Sequence, residues 1–360
     1  MQRWLQIQNE LLPDFNDEVG SLTPKLEKVI HTLEWVRIED FVDMGWCGVG
    51  RRPHDRKALA SAFVAKAVLG IGTTAGLIER LRVDRALRRI CGFSLWKKLP
   101  NEATFSRAFE ELAHAKVAER VHEAVVKTHL GDELVGHISR DGTAIEAREQ
   151  PARLVKRNGQ DTPPKAKRGR PRKDEVREPV LTRIGEQLTR TLPEILSELP
   201  KACDRGTKCN AQGYKNSWNG YKLHIDTADC GIPVSLLLTS ASVHDSQAAV
   251  PLALMTAQRV THCYDLMDAA YCSDELREHS RGLGHVPLID HNPRRGEKIE
   301  FAPHEAQRYK ERTQAERTNG RLKDEFGGRQ IWVRGHEKVM SHLMFGILAL
   351  TADQLMRLLI

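Results

Sequence analysis

The sequence predicts a mixed α/β fold preceded by an all-helical region, and two observations predict it. Apolar residues recur at helical spacing through about the first 130 positions. From Leu134 onward, short alternating segments appear and then interleave with further helical stretches. The 360 residues suffice for two or three domains, and 40% hydrophobic with 29% charged residues is ordinary for a globular chain.

In the helical region, Leu59, Phe63, Ala67 and Gly70 mark one helix, and Leu77, Ile78 and Leu81 mark the next. Pro100-Asn101-Glu102 breaks the run before Thr104 to Leu130. Arg and Lys are frequent here (Arg80, Arg82, Arg85, Arg88, Lys97 and Lys98 among them), which suits a DNA-binding face and a solvated basic face equally. Leu134 to Asp141 reads as a strand ending on an acid. A long interruption follows, about 149–213, rich in Lys, Arg, Pro and Gly, the composition of a segment that stays flexible until bound. Within it Leu181 to Leu199 reads as helical, broken at Pro193.

Trp218 to Asp226 and Ile232 to Leu238 form a hairpin about Cys230-Gly231. Asp245-Ser246 opens a helix to about Arg259, and His262 to Leu266 is a strand leading to Asp268. Ser273 to Arg281 is helical, Val286 to Asp290 a strand, and Glu305 to Phe326 a helix. Three antiparallel strands followed by parallel strand–helix units match a ribonuclease H-like arrangement, a mixed sheet with flanking helices. The expected division is a helical domain over 1–130, with its basic face offered to DNA, and a ribonuclease H-like domain over 131–360, interrupted at about 149–213. The C-terminal apolar run is uncharged only from Leu343 to Ala352, short of the roughly 18 residues that span a bilayer. It reads as a core helix, and no membrane is expected as a partner.

Charge is concentrated. Arg148 to Lys173 holds ten Lys/Arg against Glu149 and Asp161, a local +8 in a chain whose total is +7, so the remainder is close to neutral. Such a segment implies a polyanionic partner. Seven cysteines without a CxxC pair fit reduced thiols in a cytosol, and Cys203 and Cys209 lack Cys/His partners at zinc-site spacing.

The most informative segment is Tyr309…Arg312…Glu316…Lys323. At about 100° per helical residue these four side chains fall within a stripe about 60° wide. A phenol, a guanidinium, a carboxylate and an ammonium on one stripe suit phosphate bound beside a metal ion, although a solvent-facing helix also mixes charges. The spacing Tyr-x2-Arg-x3-Glu-x6-Lys resembles the signature around the last catalytic carboxylate of bacterial insertion-sequence transposases of the DDE type, which have a ribonuclease H-like core. Leu99 to Arg107 is similar to part of their N-terminal helical domain.

The resemblance implies that Asp141, Asp268 and Glu316 are catalytic and hold two Mg2+ ions, with Mn2+ as a substitute. It also implies that Tyr309, Arg312 and Lys323 grip DNA phosphates. Three carboxylates at one sheet edge repel one another unless cations lie between them, and Mg2+ takes such hard oxygen ligands. Asp265 lies inside its strand, and Asp245 in Val243-His244-Asp245-Ser246 reads as a helix N-cap.

In the basic interruption, Arg168-Gly169-Arg170-Pro171 has the core of an AT-hook, whose extended Arg-Gly-Arg follows a narrow minor groove. An unspecific polybasic linker reads the same way. The expected function is a transposase that binds element ends in double-stranded DNA, cleaves phosphodiesters and joins the ends to target DNA. The expected setting is a homodimer on DNA in the bacterial cytoplasm, at the nucleoid. The alternatives are a nuclease on the same fold without strand transfer and a non-catalytic DNA-binding derivative.

Overall fold

The structure, a computed structural model, describes residues 2–3, 22–43, 49, 53–151, 181–209, 212–293 and 297–359. Before the sheet come α1 (Pro24–Val36), α2 (Arg56–Val68), α3 (Thr74–Val83), α4 (Arg85–Ile90), α5 (Glu102–His114) and α6 (Val117–Leu130). Five of these start on a side-chain cap. Thr23, Asp55, Thr73, Asp84 and Asn101 each accept from a backbone N–H of the first turn that no helical carbonyl can reach.

The sheet is built from β1 (Leu134–Glu146), β2 (Asp204–Cys209), β3 (Lys215–Ala228), β4 (Pro233–Ser240), β5 (Thr261–Met267) and β6 (Val286–Ile289). Its order is β2-β3-β1-β5-β6, with β4 also paired to β3. β1, β3 and β4 pair antiparallel, while β1, β5 and β6 run parallel. This is the ribonuclease H-like mixed sheet that the order of elements predicted.

Between β1 and β2 lie α7 (Arg183–Leu188) and α8 (Leu192–Glu198). The helical stretch expected over Leu181 to Leu199 is two helices, but it does not break at Pro193. The break falls at 189–191, and Pro193 sits in the first turn of α8, where a missing N–H costs no hydrogen bond. Residues 181–209 of the basic interruption thus contain two helices and a strand. Arg168, Gly169, Arg170 and Pro171 lie outside the described residues.

The remaining helices are α9 (Ala249–Ala257), α10 (Asp274–Gly282), α11 (Pro303–Tyr309), α12 (Thr313–Glu325) and α13 (His336–Leu359). α13 packs against α1, α2, α5 and α6. Phe345 on it meets Phe63 and Phe109 at ring-centroid distances of 5.7 and 6.0 Å. By length and composition α13 could cross a membrane, but its apolar window is 78% buried within the fold. One apolar core therefore joins the N-terminal helices, α13 and the sheet, and a smaller one lies among α8, α9, α10, β5 and β6.

Candidate active site

A notch in the sheet edge positions the first two acids. β1 pairs with β5 only as far as Arg140 opposite Met267, yet β1 continues to Glu146 along β3. Asp141 therefore lies within its strand, where the sequence had been read as a strand ending on this acid. It is the first residue of β1 with no β5 partner beside it. Asp268 is the first residue after β5, and its Oδ1 accepts from the N–H of Ala270 at 2.9 Å, which fixes the following turn.

The helix that carries the third acid is not continuous. α11 ends at Tyr309, a 3₁₀ turn spans Lys310–Arg312, and α12 begins at Thr313. The four-residue stripe is thus divided among three pieces of backbone, but all three lean on the notch. The Tyr309 hydroxyl donates to the Met267 carbonyl at 3.0 Å, the residue before Asp268. Arg312 Nη1 is 4.0 Å from Asp141 Oδ1, and its Nη2 donates to Glu316 Oε1 at 2.5 Å. Glu316 is 55% exposed and paired with Arg312. Lys323 is half-buried, and its pKa is lowered by burial and then by Arg329 and Lys208.

The electrostatics of the notch favour a cation. Burial and then the charge of Asp268 push the Asp141 carboxyl up to about 6. Burial likewise raises Asp268, and Asp245 adds to the effect. Burial alone would weaken the charge on Arg312, but Tyr309, Glu316, Asp141 and Asp268 outweigh it and raise its pKa. Carboxyls that resist ionisation together are ones that a divalent ion would neutralise.

Several residues at the site were not found from sequence. Asn319, one turn beyond Glu316, donates from Nδ2 to Asp141 Oδ2 at 2.8 Å, and its own Oδ1 is buried without a hydrogen-bond partner. Asp245 is not the cap of its turn. His244 holds that position, and Asp245 accepts from Lys222 Nζ at 3.0 Å. The Tyr271 hydroxyl is buried without a partner, under the charges of Asp245, Asp141 and Asp268.

Behind the sheet, Arg140 forks onto Asp226, Nε to Oδ1 at 2.7 Å and Nη2 to Oδ2 at 2.6 Å, and ties β1 to β3 beside Asp141. Its Nη2 is also 4.0 Å from Asp265 on β5. Asp265 accepts from Ser280 Oγ at 2.6 Å and lies 3.1 Å from His262 Nε2 and 3.4 Å from His285 Nδ1. His262, Asp265 and His285 are close enough to hold a metal among themselves. Asp265, however, already has hydrogen-bond partners there, and its pKa is held well below the carboxylate range by His262, His285 and Arg140 in spite of burial.

Residues 196–352 match the family model described as Transposase DDE domain, and residues 13–111 match the one described as Transposase domain (DUF772). The first match contains Asp268, Tyr309, Arg312, Glu316 and Lys323, and Asp141 lies outside both. No curated protein and no solved structure gives a significant match.

Proposed function

We infer, from a chain that belongs to the insertion-sequence DDE transposases, that the notch at Asp141 and Asp268 cleaves DNA at the ends of its element and joins those ends to target DNA. Transposition is what this family does, and the finer reading rests on one observation. Two part-buried carboxyls have raised pKa, Asp141 within reach of the Asp268 charge, with Arg312 4.0 Å from Asp141 and Tyr309 bonded to the residue before Asp268.

Asp141, Asp268 and Glu316 would hold the divalent cations, two Mg2+ with Mn2+ as a substitute. The fit is chemical: the donor set is hard oxygen, and the buried Asn319 Oδ1 beside it lacks a partner. A bound ion supplies a Lewis acid that lowers the pKa of a water or a 3′-hydroxyl and stabilises the leaving oxygen.

The chain's own groups prepare that chemistry. Asn319 fixes the Asp141 carboxylate, and the Ala270 N–H fixes Asp268, so both acids keep their orientation without reorganisation. Arg312 presents a planar guanidinium suited to a phosphate, and Lys323 presents a point charge. When phosphate takes Arg312, Glu316 is released from its ion pair and becomes available to the site. The basic N-terminal helices and the Arg168–Pro171 segment would carry element-end and target duplex, as a homodimer that brings two ends together at the bacterial nucleoid in the cytoplasm.

The test is a strand-transfer assay on duplex carrying the element's terminal sequences, with Mg2+ present. Wild type should cut and join, and Asp268→Asn should bind the duplex but leave it intact. Cutting without joining would reduce the function to a nuclease, and wild type that binds without cutting would remove the catalytic reading.

A further inference from the structure

Asp245 has no part in the function so far, yet it is built into the same corner of the sheet. It opens the 3₁₀ turn at 245–248 that precedes α9, and its Oδ1 lies 3.0 Å from Lys222 Nζ and 4.0 Å from His224 Nδ1 on β3. The partner of His224 on β1 is Gly142, the residue after Asp141. A Cβ placed at Gly142 would stand 3.1 Å from both Asp245 Oδ1 and His224 Nδ1. Glycine is thus the residue that lets Asp245 approach the β1 backbone next to Asp141. The charge of Asp245 is felt at Asp141, Asp268 and Tyr271 alike.

Two buried groups around this carboxylate lack partners. His224 is fully buried, and its Nε2 is 2.9 Å from Thr239 Oγ1. Thr239 donates its own proton to the Ser240 carbonyl, so Nε2–H donates to Thr239 and Nδ1 is left as an acceptor facing Asp245. The Tyr271 hydroxyl, 1% exposed, has no acceptor in spite of the carboxylates around it. Around Asp245 itself the nearest cation is the Lys222 ammonium, which also donates to the Val243 carbonyl at 2.8 Å, and the unpartnered His224 Nδ1 faces the same carboxylate as a further acceptor.

We propose that Asp245 is a fourth carboxylate of the divalent-cation site, and that Lys222 is the counter-ion that holds it while no cation is bound. The proposal rests on the reading that Asp141 and Asp268 hold such an ion, and adds to it an acid on the far side of Gly142. Asp245 acts as a positioning residue: it adds negative charge and acceptor oxygens behind Asp141 and Asp268, and Lys222 competes with the cation for that charge.

Mn2+ binding to the full-length protein without DNA, followed by the loss of the free-ion electron paramagnetic resonance signal, tests this directly. Asp245→Asn should weaken Mn2+ binding about tenfold or more, the usual scale for supporting groups around a metal. Lys222→Met should tighten it about threefold, since a competing charge is removed. A purely structural role for the pair predicts that both variants weaken binding or that neither changes it, and either result overturns the proposal. Circular dichroism melts of both variants show that the fold is retained. Asp141→Asn separates the two levels of the argument. Wild type that binds Mn2+ and loses it in Asp141→Asn, with Asp245→Asn at wild-type affinity, overturns the role of Asp245 alone. Wild type that takes up no Mn2+ overturns the metal site and this proposal with it.

Discussion

Asp141→Asn should make the metal-free protein more stable while removing its function. In the fold the Asp141 carboxyl is pushed from 3.8 up to about 6 by burial and by Asp268, and only 17% of the side chain is exposed. Ionising it at neutral pH therefore costs the fold roughly 3 kcal/mol relative to the unfolded chain. Asparagine keeps the size and can still accept from Asn319 Nδ2, so the expected gain at pH 7 is about 2–3 kcal/mol. The sign follows from proton binding. Between about pH 4 and 6 the native state holds this proton more tightly than the unfolded state, so wild-type stability falls as pH rises across that window. Below about pH 4 both states are protonated and the difference from Asp141→Asn vanishes. Urea denaturation with a chelator present, at steps from pH 4 to 8, gives the two curves. Added Mg2+ should then stabilise wild type and leave the variant unchanged. Equal midpoints at pH 7, or a variant less stable than wild type throughout, would refute the claim that these carboxyls repel one another in a desolvated notch.

Arg140→Met should lower stability by about 3–5 kcal/mol in the same assay, because it leaves Asp226 and Asp265 buried without their guanidinium. Gly220→Ala should destabilise by about 2 kcal/mol or more, since it would occupy a strand position with φ of 151° and place a Cβ 2.1 Å from the Ile145 carbonyl oxygen; its thermal midpoint measures this. Arg312→Gln should weaken duplex binding in a titration at several salt concentrations and reduce the slope of log affinity on log salt by about one. An unchanged slope would mean that Arg312 stays with Glu316 and never meets phosphate.

Much of this architecture was legible because it is local. Strand alternation in Trp218 to Asp226 and the apolar run of β4 reflect residues that must face a core, and the structure places strands there. The Tyr309, Arg312, Glu316 and Lys323 spacing singled out a stretch whose Tyr309 and Arg312 do lie against Met267 and Asp141, even though its helix is divided at 310–312. No Gly or Pro lies between Tyr309 and Thr313, so the chain itself offers no breaker to announce the division. β2 was hidden because Asp204-Arg-Gly-Thr-Lys-Cys is polar and lacks alternation, and pairing with β3 makes it a strand. The run of β1 beyond Asp141 was hidden for a related reason: Gly142 looks like a terminator, whereas its missing side chain makes room for Asp245 and His224. Asn319 meets Asp141 across 178 residues, and the Lys222–Asp245 pair is set by where a turn lands on a sheet. Such contacts follow from tertiary placement and leave no periodic trace in the sequence.

The central claim is that Asp141, Asp268 and Glu316 gather around one cation centre when DNA is bound. Replacing Mg2+ with Fe2+ in the protein–DNA complex and adding peroxide and ascorbate cuts the polypeptide next to the bound ion, and mass spectrometry locates the cuts. The account predicts cuts near positions 141, 268 and 316 that disappear with excess Mg2+. Cuts confined to the neighbourhood of His262 and His285, with none near 141 or 316, would contradict it.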